Sequence, residues 1–124
     1  MFQKSIFYLF LFLTICICKI QAQNNDNKTI DSLKTALKQT EDESQKTDIL
    51  IRLSAYSEYI GPDKAISYAN QGLSYAKKIN DDEQIGLAYT NLGIAYEIKS
   101  NYPHTLKNFY KALEISEKTN DSKT

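Results

Sequence analysis

The chain has no tryptophan, and its only two cysteines, Cys16 and Cys18, both lie in an apolar run near the N-terminus. The rest of the chain therefore has no thiol, which excludes a thiolate nucleophile, a disulfide and a cysteine-ligated zinc site there. The single histidine, His104, follows Pro103 without a Ser, Cys or carboxylate at a motif spacing, which favours a solvated residue over a catalytic base. The formal net charge of 0 leaves no basic stripe for nucleic acid.

Cofactor and metal motifs are also missing. The acidic run 81–83 lacks the alternating ligands and the glycine of a calcium loop, and helix capping explains it. The sequence contains no Gly-rich phosphate loop, serine nucleophile elbow or metal-binding His pair. These absences predict a protein that is not an enzyme and that binds no cofactor and no metal.

The N-terminus reads as an export signal. Lys4 supplies a positive charge, residues 5–18 are apolar, and Ala22 ends a candidate cleavage site. We predict a signal peptide at 1–22 and a flexible polar lead-in at 23–28. An uncleaved membrane anchor remains the alternative, because Lys19 interrupts the region before the cleavage site.

A lipoprotein is disfavoured, since Cys16 and Cys18 each follow an isoleucine where a small residue is expected. Removal of the leader would take away two lysines and leave a net charge of −2. Membrane association is therefore expected only if the leader is retained.

The remaining chain shows helical periodicity and no alternation typical of strands. A short first helix is predicted at about 29–39, and Pro62 and Pro103 are placed to open later helices. The predicted inward stripes of the next four helices are Ile49, Leu53, Tyr56 and Ile60; Ala65, Ala69, Leu73 and Ala76; Ile85, Ala88, Leu92 and Tyr96; and Leu106, Phe109, Leu113 and Ser116.

An internal repeat connects these helices. Leu73, Lys78 and Asn80 recur 40 residues later as Leu113, Lys118 and Asn120, and Leu53 recurs 39 residues later as Leu92. Repeated helical hairpins of this length indicate a solenoid. We predict hairpins at about 47–79 and 86–118.

The second hairpin carries a recognisable motif. It reads Tyr89-x2-Leu92-Gly93-x2-Tyr96, then Thr105-x3-Phe109-x2-Ala112, and so resembles the tetratricopeptide repeat. Trp is usual at the first position of that motif, Ala at Thr105 and Pro at Glu117, and the first hairpin matches less well. The chain resembles the N-terminal repeat region of exported Bacteroidetes-type tetratricopeptide proteins and sensor proteins. The resemblance implies an all-α fold of antiparallel hairpins, stacked as a short right-handed solenoid over 29–119, with a tail at 120–124.

Glycine in a helix costs roughly 1 kcal/mol relative to alanine, so Gly93 indicates a close approach of two helices. Gly93→Leu is expected to destabilise, whereas Gly93→Ala is expected to be nearly neutral. The last helix is expected to expose an apolar edge that includes Ile115, which would favour self-association.

The resemblance also implies a function, the binding of a protein or peptide segment. In the family register the groove-facing positions are Arg52, Ala55, Glu58 and Tyr59 in the first hairpin and Asn91, Ile94, Glu97 and Ile98 in the second. Of these, the candidate partner-binding residues are Arg52, Tyr59, Asn91, Ile94 and Ile98. Arg and Tyr often dominate interfaces, although pairing of Arg52 with a nearby Glu is an equal alternative. We therefore expect a non-catalytic periplasmic scaffold, and the alternative is the sensor-input fragment of a longer signalling protein.

Overall fold

The computed structural model describes residues 2–122, which form five α-helices and no strand. They are α1 (Phe2–Gln39), α2 (Glu43–Ser57), α3 (Pro62–Lys78), α4 (Asp82–Ile98) and α5 (Tyr102–Asp121). The predicted all-α class is confirmed. Lys123 and Thr124 of the predicted tail lie outside the described residues, and Asn120 and Asp121 still belong to α5.

Three helices begin at side-chain caps. Asp42 accepts a hydrogen bond from the Gln45 backbone N–H at 2.8 Å, and Asp81 accepts one from Gln84 at 3.1 Å. Asn101 begins α5 in the same way. Such caps satisfy N–H groups that have no partner within the helix. Because the caps precede the apolar stripes, the hairpins span 43–78 and 82–121 and begin about four residues earlier than predicted.

α3 and α4 end in the same kind of turn at their C-termini. Asn80 and Ser100 have φ angles of 55° and 57°, in the left-handed region that stops a helix. The Asp81 N–H then donates to the Ala76 carbonyl at 2.9 Å, and the Asn101 N–H donates to the Tyr96 carbonyl at 2.8 Å. These are the bonds of a helix-terminating turn that lets the next helix start at once.

α1 is continuous where a break was predicted. Residues 23–28 are helical rather than a flexible lead-in. No glycine or proline occurs before Gly61, so nothing in the sequence stops the helix between the apolar run and the packed part. By length and apolar content α1 is the one described helix that can cross a membrane, a test that a signal sequence near the N-terminus also passes.

The core consists of two clusters between successive helices. The first joins α1 to α2 through Ile30, Leu33, Ile49 and Leu53. The second joins α3 to α4 and is built on Ala69, Ala76, Ile85, Tyr89 and Leu92. Each helix packs on its neighbours in the chain, and α2 also packs on α4. This order of contacts is that of a stacked repeat.

Ion pairs repeat with the hairpins. Lys78, at the end of α3, pairs with Glu43 at the start of α2. In the second hairpin Lys118 Nζ lies 2.9 Å from Asp82 Oδ2. A lysine at a helix C-terminus and a carboxylate at a helix N-terminus are each favoured by the helix dipoles. These pairs show that the helices of each hairpin are antiparallel.

The predicted stripe of α5 is wrong at three of its four positions, whereas Phe109 packs inward against Gly93. Leu106 and Leu113 are more than half exposed, and Ser116 is exposed as well. The buried positions include Thr105 and Asn108, whose side chains donate to backbone carbonyls one turn earlier, at 3.1 and 2.8 Å. Because these local bonds satisfy both polar side chains, Thr105 and Asn108 can be buried without a hydrogen-bond partner from another helix.

The predicted inward stripe of α2 is also wrong at two positions. Tyr56 and Ile60, predicted to face inward from α2, are exposed, and Leu50, Ile51 and Ser54 take the buried side instead. Ile115, predicted at the exposed edge, is half-buried and packs against the α3–α4 cluster.

Candidate partner-binding face on α2 and α4

The two inner helices lie side by side and run in the same direction, because each hairpin is antiparallel and α2 packs on α4. Positions 39 residues apart therefore occupy equivalent places on the two helices. The positions that look away from the outer helices form what we call the inner face. Its members are Asp48, Arg52 and Ala55 on α2, Tyr59 in the turn after α2, and Leu87, Asn91, Ile94 and Ile98 on α4.

The inner face is apolar at one end. Tyr59 is 84% exposed at the end of α2, and Ile98 is 38% exposed at the end of α4. Ile94 is half-buried one turn earlier. The structure thus leaves three of the predicted groove residues available to a partner. Exposed apolar and aromatic side chains in one region are typical of interaction sites.

Leu87 belongs to the same face but was not predicted. It is 43% exposed, and it precedes Asn91 by one helical turn. Extending the register of Asn91, Ile94 and Ile98 by one turn toward the N-terminus would have found it.

Arg52 has a partner within its own helix. Its Nη1 lies 3.7 Å from Asp48 Oδ2, and both side chains are about half exposed. Arg52 therefore has a local ion-pair partner, an aspartate rather than the glutamate that was considered. An exposed pair of this kind contributes little, about 0–1 kcal/mol.

Asn91 has a different role from the predicted one. Its side chain is buried, and Nδ2 donates to the Ile51 carbonyl at 3.0 Å. That amide therefore joins α4 to α2 and is not a free polar anchor for a partner. The bond contributes to the packing of α4 on α2.

Glu58, which the family register predicted to look into the groove, is a buried carboxyl at the C-terminal end of α2, and it is 7% exposed. Burial disfavours the charged form and raises the pKa of Glu58 from its ordinary value of 4.5 to about 7. Its counterpart 39 residues later, Glu97 on α4, is exposed.

The motif residues hold the second hairpin together. Tyr89 and Leu92 are buried. Gly93 faces Phe109 so closely that an added Cβ would lie 2.4 Å from two ring carbons. The ring of Tyr96 stacks on His104 at 4.8 Å, and Ala112 packs against the α3–α4 cluster. These residues serve packing and are separate from the inner face.

His104 shows no catalytic arrangement. Its Nδ1 lies 2.9 Å from Asn101 Oδ1, the oxygen of the residue that caps α5, and its ring is exposed. Within residues 2–122, no group of three or more His, Cys, Asp or Glu side chains is placed to hold a metal ion.

A comparison with models of protein families identifies the family of this chain. Residues 19–111 match the family model described as the SusR N-terminal TPR domain, and the match begins after the apolar part of α1. Comparison with curated proteins and with solved structures gives no match. The motif of the second hairpin, the stacked helices and a match over most of the chain agree: the chain belongs to the tetratricopeptide family of the SusR N-terminal TPR domain.

Proposed function

We propose that the chain is a non-catalytic scaffold that is exported to the cell envelope and captures a protein or peptide segment on the inner face. Tetratricopeptide domains suggest such a role in general. The observation that supports this particular surface is the exposed apolar set of Tyr59, Leu87 and Ile98 on helices that are otherwise well packed.

The chemistry of the inner face indicates the kind of segment that fits. The apolar side chains favour an aromatic or aliphatic anchor, since such anchors supply most interface energy. Arg52 is about half exposed and forms only a weak pair with Asp48. A carboxylate on the partner would compete with Asp48 for that guanidinium at little cost. We therefore expect a segment with an apolar anchor next to an acidic residue.

The test compares capture of partners from the native envelope by the wild type and by the double variant Arg52→Ala, Tyr59→Ala. Loss of a central anchor typically costs about 2 kcal/mol of binding, so recovery of the partner should fall strongly. Tyr102→Ala is the matched control, because Tyr102 is also highly exposed, at 62%, but lies on α5. Equal recovery by the wild type and the double variant would rule out the inner face.

Export is supported by α1. Its N-terminal part is exposed and apolar, with a mean hydropathy of 1.9 over the most apolar window, none of it buried. Such a segment is unfavourable in water and suits a translocation signal or a membrane. A cleaved signal would place the scaffold in the periplasm, and a retained one would tether it to the membrane.

The second candidate function is an input domain of a longer signalling protein. The matched family is described as the N-terminal domain of SusR, which favours a domain that precedes others. The reading frame beyond Thr124 discriminates between the candidates. A continuation into a membrane span and a kinase or DNA-binding module would favour the input domain, and an immediate stop would favour the separate scaffold.

A further inference from the structure

The exposed apolar part of α1 leaves the folded repeats at one particular end. α1 packs on α2 across the short turn 40–42, so these two helices are antiparallel. The N-terminal part of α1 therefore projects from the end of the domain where α2 and α4 finish and where α3 and α5 begin. We call this end, made of residues 58–61 and 99–102, the turn end.

The turn end carries two large exposed side chains that lie outside the inner face. Ile60 is 47% exposed in the α2–α3 turn, and Tyr102, the first residue of α5, is 62% exposed. A tyrosine ring joins an apolar body to a polar hydroxyl, and tyrosine is enriched where a membrane meets water. The turn end therefore has side chains that suit the boundary between lipid and water.

The length of α1 sets the height of the turn end above a membrane. Asn27 of α1 and Ile60 line one cleft, so they lie at about the same level along α1. Helical residues 2–22 are about 31 Å long and match a hydrocarbon core of about 30 Å, with both of their lysines extended toward the headgroups. Asn27 then lies about 7 Å beyond the core, and each headgroup layer is about 5–7 Å thick. Ile60 is thus placed at the outer edge of the headgroup layer.

We propose that, in the chain that retains α1, the turn end rests on the lipid surface with Ile60 and Tyr102 in the headgroup layer. The inference rests on the entry of α1 into a membrane and is independent of partner capture by the inner face. α2 and α4 then stand upright on the membrane. The apolar end of the inner face, at Tyr59 and Ile98, becomes its membrane-proximal end, which a partner held in the same membrane reaches first.

The full chain reconstituted in phosphatidylcholine vesicles tests this contact, because α1 is retained where no signal peptidase is present. In a Cys16→Ser, Cys18→Ser background, Ile60→Cys or Tyr102→Cys is labelled with a fluorophore whose emission depends on polarity. Both positions are exposed, so the label does not disturb the core. We expect the emission of each label to shift to the blue and to be quenched by lipids that carry a spin label on the headgroup.

Leu113→Cys in the same background is the matched control. Leu113 is 52% exposed on the same helix as Tyr102, but it lies about 16 Å farther along the helix axis. Its label should show neither the shift nor the quenching. Quenching at Leu113 equal to that at Tyr102 would mean that the domain lies on its side, and absence of quenching at Ile60 and Tyr102 would mean that it stands away from the lipid. Either result overturns the proposal.

A label at Phe10→Cys checks the premise, since Phe10 lies in the apolar part of α1. It should be quenched by a spin label deep in the acyl chains. A Phe10 label that stays in water shows that α1 does not enter the bilayer, and the proposal then fails at its premise. Quenching at Phe10 without quenching at the turn end refutes the surface contact alone. Neither result bears on whether the inner face captures a partner.

Discussion

Gly93 and Ser54 occupy equivalent positions in the two hairpins, 39 residues apart. Each of them lies against the second helix of its own hairpin. Ser54 is fully buried, its hydroxyl donates to the Ala65 carbonyl at 2.9 Å, and alanine stands at position 69. In the second hairpin the residue 40 positions after Ala69 is Phe109, whose ring fills the space that Gly93 leaves open. The first hairpin thus has small side chains on both helices at this place, whereas the second combines a large ring on α5 with a glycine on α4.

The pairing of Gly93 with Phe109 yields a prediction about stability. Gly93→Ala places a methyl group 2.4 Å from the ring, so the ring or the helix must shift. We expect a loss of about 1–3 kcal/mol, typical of overpacking. Thermal unfolding measured by circular dichroism should show a lower midpoint.

Gly86→Ala is the control, since its added Cβ would meet only Ile115 Cγ2 at 3.6 Å, an ordinary contact. There the gain in helix propensity, up to roughly 1 kcal/mol, should dominate and raise the midpoint. An unchanged or raised midpoint for Gly93→Ala would contradict the close approach seen in the structure.

The motif spacing predicted that Gly93 sits at a helix contact, but not how close that contact is. From helix propensity alone, Gly93→Ala was expected to leave the stability nearly unchanged. The short distance from the added Cβ to the Phe109 ring reverses that expectation. Similarly, the pattern placed Asn91 in the groove without showing that Ile51 offers it a carbonyl. Both facts depend on the separation of helices that are far apart in sequence, and a periodic pattern carries no such distances.

At the scale of the helix, the burial of Glu58 at the C-terminal end of α2 makes stability depend on pH. Unfolding returns Glu58 to its ordinary pKa of 4.5, whereas in the folded chain the pKa is about 7. Between these values the unfolded chain releases a proton that the folded chain keeps, so stability falls as pH rises through this range and then levels off.

Glu58→Gln should remove this dependence, because the amide is neutral at every pH. Unfolding midpoints at pH 5 and pH 8 should differ less for this variant than for the wild type, and the variant should be the more stable at pH 8. Glu97→Gln, the exposed counterpart on α4, should leave the dependence as it is. If Glu58→Gln and the wild type show the same difference between the two pH values, the carboxyl is not held in its neutral form.

Helix existence and order followed from the apolar spacing and the caps, but the rotation of α5 about its axis did not. The spacing of Leu106, Phe109 and Leu113 fits an inward stripe as well as the true one does. Two features of the structure account for the different inward side of α5. Thr105 and Asn108 satisfy their own polar groups by local hydrogen bonds, and α4 leaves much of α5 uncovered. The pattern shows that apolar residues share a side, not which side another helix covers.

At the scale of the whole molecule, export predicts a shorter chain in the envelope. The signal should be removed after Ala22, leaving Gln23 as the first residue. Intact mass spectrometry of the protein recovered from the native envelope measures this directly. A mass that includes residues 1–22 would mean that α1 is retained as an anchor, and the variant Ala22→Tyr, which blocks a small-residue cleavage site, supplies the reference for the unprocessed chain.

The continuity of α1 bears on the order in which the chain matures. The first buried residue of α1 is Ile30, so the turns between the cleavage site and Ile30 can unwind without exposing the core. A peptidase that requires an extended substrate can therefore act on a chain whose repeats are already folded, and the repeats can also fold on a chain that is already cut. If the leader is cut after Ala22, processing and folding can therefore occur in either order.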